Sequence, residues 1–343
     1  MTDPAVPDRP ELTDAQRDRA AGVLLAQACG DALGVPYEFA TVPTGAAEMI
    51  GGGLGPYAPA EWSDDTQMAA CIARVSATGA DLTSAAALDQ IAAAFLAWQR
   101  GGATDIGMQT SQVLGRVQRP DDIDGLGRRL TDAAAAHHAG GARTAGNGAL
   151  MRGGIIGLTR LDDRDATAAA ATAVAELTHT DPLAAESCVL HAEAIRVAVL
   201  TGELELTAGL DLLPADRRDF WANAVAEADH RRGSTRTPDS FPNNGFTVTA
   251  LQAAWAAITS TEDEGGPGPH SPWLVRGLQA AVHAGHDTDT VAAIAGALLG
   301  ARHGAISVPT RWADEVHGWP GLRGADLFTL AVRTAEAGMR PVA

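Results

Sequence analysis

Two short stretches set paired carboxylates beside hydroxyls. Ser63-Asp64-Asp65-Thr66 leads into the apolar run QMAACIARVSA, and Asp287-Thr288-Asp289-Thr290 leads into VAAIAGALLGARHG more than two hundred residues later. Neighbouring acids repel. Such a pair suits a helix N-terminus, where carboxylates meet the partial positive charge of the first turn, or else it holds a cation. Taken alone, each stretch is an ordinary helix start. Taken together they offer four carboxylates with flanking hydroxyls, an all-oxygen set that suits Mg2+ or Mn2+. Within a regular helix Asp287 and Asp289 would diverge by about 200°. They can share a target only from a loop or a first turn, which is where the pattern puts them.

Two further stretches carry weaker signals. GVLLAQACGDALGVPYEF, residues 22–39, is an apolar helix with Asp31 near its end, then Gly34, Pro36 and Glu38. On their own, Asp31 reads as a polar helix-end residue and Glu38 as a surface loop acid. RTAGNGALMRGG, residues 143–154, puts Gly146-Asn147-Gly148 ahead of a helix. That is either a tight turn or a cradle whose backbone N–H groups approach a phosphate. The cradle would matter here because the chain has no lysine: all 25 basic residues are arginine. Schiff-base and P-loop lysine chemistry are thereby excluded.

The elements that must position these residues read as helices. Apolar residues make up 46% of the chain and aromatics only 4%, alanine and leucine dominate long segments, and alternating β-branched runs are scarce. Periodicity predicts helices over 13–33, 64–78, 83–100, 107–118, 123–138, 149–160, 164–178, 183–202, 216–231, 245–260, 272–284, 288–303 and 325–337. Three stretches interrupt them: 41–61, 231–245 and 261–272. The last two read as exposed connections. The first is about twenty residues without apolar periodicity, a length uncommon in a compact domain unless the loop has a function. No fixed-period repeat or composition shift divides the chain. One all-α domain is expected over 12–337, with a flexible tail at 1–11 and another at 338–343.

A formal charge of −17 argues against polyanions, whether nucleic acid or an anionic membrane surface, as the main partner. Cys29, Cys71 and Cys188 are widely spaced in apolar runs and read as buried thiols in a reducing compartment. The start lacks an apolar leader and no run of about 18 apolar residues follows, so a cytoplasmic soluble protein is expected. The ten histidines form no metal motif; His137-His138 is an adjacent pair on an alanine-rich helix.

In their order, GDALGVPYEF, WSDDTQMA, DIGMQT (105–110), GNGALMR (146–152), THTDPLAAESC (178–188) and HDTDTVAAIAGALLGARHG (286–304) resemble the ADP-ribosylglycohydrolase family. The resemblance spans roughly residues 17–303. It implies a single compact orthogonal helical domain of a dozen or more helices, with a dinuclear metal site in a central cleft. It further implies Ser63, Asp64, Asp65, Asp287, Asp289 and Thr290 as ligands of two Mg2+ (or Mn2+) ions, and Glu38 and Asp105 as the catalytic acids. Gly107, Gly146, Asn147, Gly148 and His179 fall at substrate-contacting positions. His286 is expected at a substrate-contacting position too, although it stands where the family often has Gly or Asn, and Ser63 stands where Thr is commoner. The activity implied is metal-dependent release of ADP-ribose from an acceptor, arginine on protein first, with serine, nucleic-acid or small-molecule conjugates as alternatives. The partner is then an ADP-ribosylated protein or ADP-ribose conjugate, and a monomer is expected. A non-catalytic ADP-ribose sensor is the competing reading from another class, which loss of a ligand position would favour.

Overall fold

The computed structural model describes residues 11–117, 122–141, 143–262 and 272–339. The described residues form thirteen α-helices: α1 Asp14–Gly34, α2 Asp64–Ser76, α3 Ala85–Gly101, α4 Met108–Gly115, α5 Leu126–Ala139, α6 Arg164–Glu176, α7 Pro182–Thr201, α8 Arg218–Ala228, α9 Thr247–Ser260, α10 Pro272–Val282, α11 Thr288–His303, α12 Thr310–Glu315 and α13 Gly324–Gly338. The sheet content is one ribbon, β1 (His317–Gly318) paired antiparallel with β2 (Leu322–Arg323). All-α is therefore the class, and the helices enclose one hydrophobic core.

Sequence explains why these segments are helices. Thr13 caps α1 and exchanges bonds with Gln16 in a capping box, Ser84 caps α3, Asp163 caps α6 and Asp181 caps α7. Gly202, at φ +79°, ends α7 in the left-handed conformation that glycine adopts without penalty.

The centre of the fold is the pair α1 and α11, buried from Ala20 to Gly34 in α1 and along nearly all of α11. They approach backbone to backbone because glycines line the seam. A Cβ at Gly22 would lie 2.3 Å from the Gly300 carbonyl oxygen, one at Gly30 2.1 Å from that of Ala292, and one at Gly300 2.0 Å from that of Gly22. At the other end a Cβ on Gly34 would lie 2.3 Å from Asp289 Cα, and the Thr288 hydroxyl donates to the Gly34 carbonyl at 2.8 Å. This seam carries Asp31 on one helix and Asp289 on the other.

Twelve of the thirteen expected helices are present, with ends shifted by a few residues. The exception is 149–160, which forms short 3-10 turns at Asn147–Ala149 and Gly154–Leu158. Its glycines explain this: Gly154 and Gly157 sit where a Cβ would come within 2.8 Å of Ala297 Cβ and 2.7 Å of the Ala192 oxygen. Close packing against α7 and α11 replaces helical continuity there. The six-residue α12 was not expected, being too short for a periodic signal. The irregular stretch 41–61 is non-helical as expected, and it is tied to α10. Gln279 bonds both the N–H and the carbonyl of Ala47, and the His283 imidazole meets the Pro43 carbonyl at 3.1 Å. The expected tails at 1–11 and 338–343, and the connection at 261–272, fall largely outside the described residues.

Candidate active site

The Ser63-Asp64-Asp65 start is not an ordinary capped helix. Ser63 occupies the N-cap of α2, yet its hydroxyl makes no capping bond. It lies 2.7 Å from Asp31 Oδ1 and 3.2 Å from Asp65 Oδ2. The α2 N-terminus is instead held from another helix. Asp31 Oδ1 accepts the Ser63 N–H at 2.8 Å and Asp31 Oδ2 accepts the Thr66 N–H at 2.9 Å.

The second acidic stretch is built similarly. Asp287 is the non-helical residue before α11 (φ −86°, ψ 71°) and makes no capping bond, while Asp289 lies in the first turn. The Asp287 amide donates to Asn244 Oδ1 at 3.1 Å, and the Asp287 carboxylate accepts the Asn147 Nδ2–H at 2.8 Å. The non-helical backbone at Asp287 removes the divergence that a regular helix would impose.

The two stretches converge. Asp31, Asp65 and Asp289 bring one oxygen each within 4.8 Å of one another, and Glu38, Asp287 and Asp289 form a second such group. Asp289 belongs to both. Asp64 stands in neither group but lines the cleft above them, a cavity of about 670 Å3.

Burial of so many acids perturbs them all. Desolvation pushes Asp31 up to about 6 and, with the Asp287, Asp105 and Asp64 charges and a hydrogen bond to Asp105, lifts Glu38 to about 9. Asp64, Asp65 and Asp289 are raised well above the carboxylate range, by burial first and then by a neighbouring acid, Asp105 for Asp64, Asp31 for Asp65 and Glu38 for Asp289. Asp287 is raised by burial too, against the opposing bond from Asn147. Asp65 Oδ1 is buried without a hydrogen-bond partner. Like charges in a dry interior cannot all ionise together unless a cation joins them. An all-carboxylate donor set with an orphaned oxygen fits hard divalent cations, and two acid groups sharing one carboxylate fit a pair of them.

The other expected site residues fall around the same cleft. Glu38, which follows the turn after α1, Asp105 and Gly107 before α4, Gly146, Asn147, Gly148, His179 and Thr290 all line it. Asn147 does not offer its amide to the cavity, because both donor bonds go inward, to Asp287 and to the Asn244 carbonyl at 2.8 Å. His286 lines an adjacent cavity of about 850 Å3 that meets the cleft at Phe39, Arg143, Gly146 and Gly245. Its φ is +59°, and its carbonyl accepts the Phe39 N–H at 2.6 Å.

Three residues of the site escaped the sequence reading. Asp31 was read as a helix-end residue, although an acid inside a fully apolar helical run signals a buried partner. Asn244 falls at the end of the stretch 231–245 expected as an exposed connection, yet it is fully buried and holds Asp287. Arg152 is fully buried beneath the Gly146–Gly148 turn, its guanidinium stacked 4.6 Å over the Phe95 ring, and its motif position gave no hint of burial.

Comparisons with known proteins agree with this geometry. The chain is 27% identical to an ADP-ribosylarginine hydrolase of Serratia proteamaculans, covering 87% of this chain and 75% of the relative. It is 25% identical to the ADP-ribosyl-[dinitrogen reductase] glycohydrolase of Rhodospirillum rubrum, covering 87% and 90% respectively. Among solved structures, a chain of an ADP-ribosylglycohydrolase-related protein complex superposes with a TM-score of 0.70 at 26% identity, over 95% of this chain and 100% of that one. The family description ADP-ribosylglycohydrolase matches residues 12–341, so the chain belongs to the ADP-ribosylglycohydrolase family.

Proposed function

We propose that this glycohydrolase is a divalent-cation-dependent enzyme that releases ADP-ribose from a modified arginine on protein. The observation that carries the reading is the pair of acid groups joined through Asp289 on the floor of the cleft. Asp31, Asp64, Asp65, Asp287 and Asp289 with Ser63 and Thr290 would hold two Mg2+ or Mn2+ ions. When bound, these would supply fixed positive charge against which the ribose hydroxyls could be held in place.

The chain's own residues do the rest. The Gly146–Asn147–Gly148 turn gives backbone close access to a diphosphate, as a chain without lysine requires. Carboxylates around the ribose stabilise the oxocarbenium-like charge that develops as the bond from C1″ to the acceptor nitrogen breaks. Glu38 stands with Asp105 at the edge of the cleft and keeps its proton, because burial and the Asp287, Asp105 and Asp64 charges disfavour its ionised form. Giving that proton to the departing guanidine, and taking one from the water that adds to C1″, balances the hydrolysis.

Arginine as the acceptor is supported by the relatives' names. An ADP-ribosylated protein is the proposed partner, with the enzyme acting as a monomer in the cytoplasm. Three buried free thiols suit a reducing compartment, and no described helix is long and apolar enough to cross a membrane.

The test is incubation with ADP-ribosyl-arginine, ADP-ribosyl-serine and ADP-ribosylated nucleoside, with and without Mg2+ or Mn2+, beside an Asp64→Ala, Asp65→Ala variant. Release from the arginine conjugate that needs the cation and both aspartates is expected. Cation-independent release, or an unimpaired variant, would sink the reading. Tight ADP-ribose binding without turnover would make the protein a sensor.

A further inference from the structure

Arg152 is a cation buried without a carboxylate within ion-pair distance among the described residues, and its Nε has no hydrogen-bond partner. Burying a guanidinium in this way is costly, so its remaining bonds need a reason. One nitrogen meets the Met68 sulfur at 3.7 Å, and Nη2 donates to Thr178 Oγ1 at 2.7 Å. Thr178 Oγ1 in turn lies 2.7 Å from His179 Nδ1. Thr178 and His179 are themselves buried.

The proton count along this line has one full solution. Arginine donates and never accepts, so the Arg152 contact uses a lone pair of Thr178 Oγ1. The threonine hydroxyl hydrogen then needs an acceptor, and among the described residues Nδ1 of His179 is the one within reach. Were Nδ1 protonated, the hydroxyl hydrogen would be stranded without an acceptor in a dry interior. Nδ1 is therefore the acceptor and Nε2 carries the hydrogen.

That hydrogen sits at the turn. A Cβ on Gly148 would come within 3.3 Å of His179 Nε2, and one on Gly146 within 3.4 Å, so the ring edge lies against both glycines and lines the cleft. No described protein group takes the Nε2–H. We infer that Arg152 and Thr178 are positioning residues that fix His179 as the Nε2–H tautomer, offering a neutral donor to an oxyanion at the Gly146–Asn147–Gly148 turn. The oxyanion is the ligand's diphosphate, and in this respect the inference rests on the proposed function. A donor locked in one tautomer meets the phosphate without first rearranging.

The test uses the full-length protein with Mg2+ present. Long-range 1H–15N spectra of the histidine side chains, with His179 assigned through a His179→Gln variant, should show Nδ1 as an unprotonated nitrogen and Nε2 as a protonated one. In Thr178→Val both resonances should move toward the values of a tautomer mixture, and ADP-ribose affinity by calorimetry should fall about tenfold. Thr178→Ser should restore both. A wild-type spectrum with Nδ1 protonated overturns the inference, as does a Thr178→Val protein with unchanged resonances and affinity. If wild-type protein does not bind ADP-ribose, the proposed function fails, and the spectra alone still decide the relay.

Discussion

Asp31 accepts both the backbone N–H and the hydroxyl of Ser63 through a single carboxylate oxygen, and takes the Thr66 N–H on the other. One helix thus fixes how the first turn of another presents Asp64 and Asp65. Asp31→Asn puts an NH2 where a donor already points, whichever way the amide turns. Loss of stability by about 1–3 kcal/mol is expected, with weaker Mg2+ binding. Denaturant titration and calorimetry would check it; a variant with wild-type Mg2+ affinity would show that Asp31 does not order the α2 turn.

Without divalent cations the protein should lose stability as pH rises. Burial holds Glu38 at about 9 and Asp31 at about 6, against ordinary values near 4.5 and 3.8. A carboxyl with a raised folded-state pKa binds its proton better in the folded protein. Its favourable contribution is complete below the unfolded value and is gone once pH has passed the folded one. In EDTA, melting temperature should therefore fall from the ordinary carboxylate range up to about pH 9. Saturating Mg2+ should flatten the slope and release protons on binding, seen as a buffer-dependent heat. Identical heats in buffers of different ionisation enthalpy would count against coupled protonation.

The glycine seam separates a structural effect from a functional one. Alanine at Gly34 would press on the Asp289 backbone at 2.3 Å, and alanine at Gly300 on the Gly22 oxygen at 2.0 Å. Both should destabilise by about 1–3 kcal/mol or more through overpacking. Only Gly34→Ala displaces the start of α11, so it alone should lower cation affinity at a temperature where both variants are folded. Equal affinities in the two would refute the assignment of Asp289 to the site.

His286 at φ +59° pays for a conformation that glycine adopts freely. His286→Gly should match wild-type stability or exceed it by up to about 1 kcal/mol, whereas His286→Val should lose about 1–2 kcal/mol. Because His286 lines the adjacent cavity and not the carboxylate cleft, the glycine variant should keep wild-type cation affinity in calorimetry.

Helix positions and the acid pairs were legible because they are local: apolar period, caps and carboxylate spacing all lie within a turn or two of sequence. The seam glycines were visible only as helix ends or interruptions, since what makes each necessary is a backbone on a distant helix. Asp31 and Asn244 were undervalued for the same reason. Each satisfies a group across the fold, from Asp31 to Ser63 and from Asn244 to Asp287, and no short window contains both partners. The Arg152 to His179 line was hidden because nothing local to the GNGALMR stretch signals that its guanidinium turns into the core.

Asp289 has a consequence for how the chain holds together in time. It comes from near the C-terminal end and Asp31 and Asp65 from near the N-terminal end, so one ion seated among them would clasp the two ends of the fold. Closing so long a loop removes much of the freedom of the open chain. Opening the Gly34 end of the α1 and α11 seam would require the ion to leave first. Slow unfolding and resistance to proteolysis should then track occupancy of a few oxygen atoms, although the helices between them make up most of the sequence.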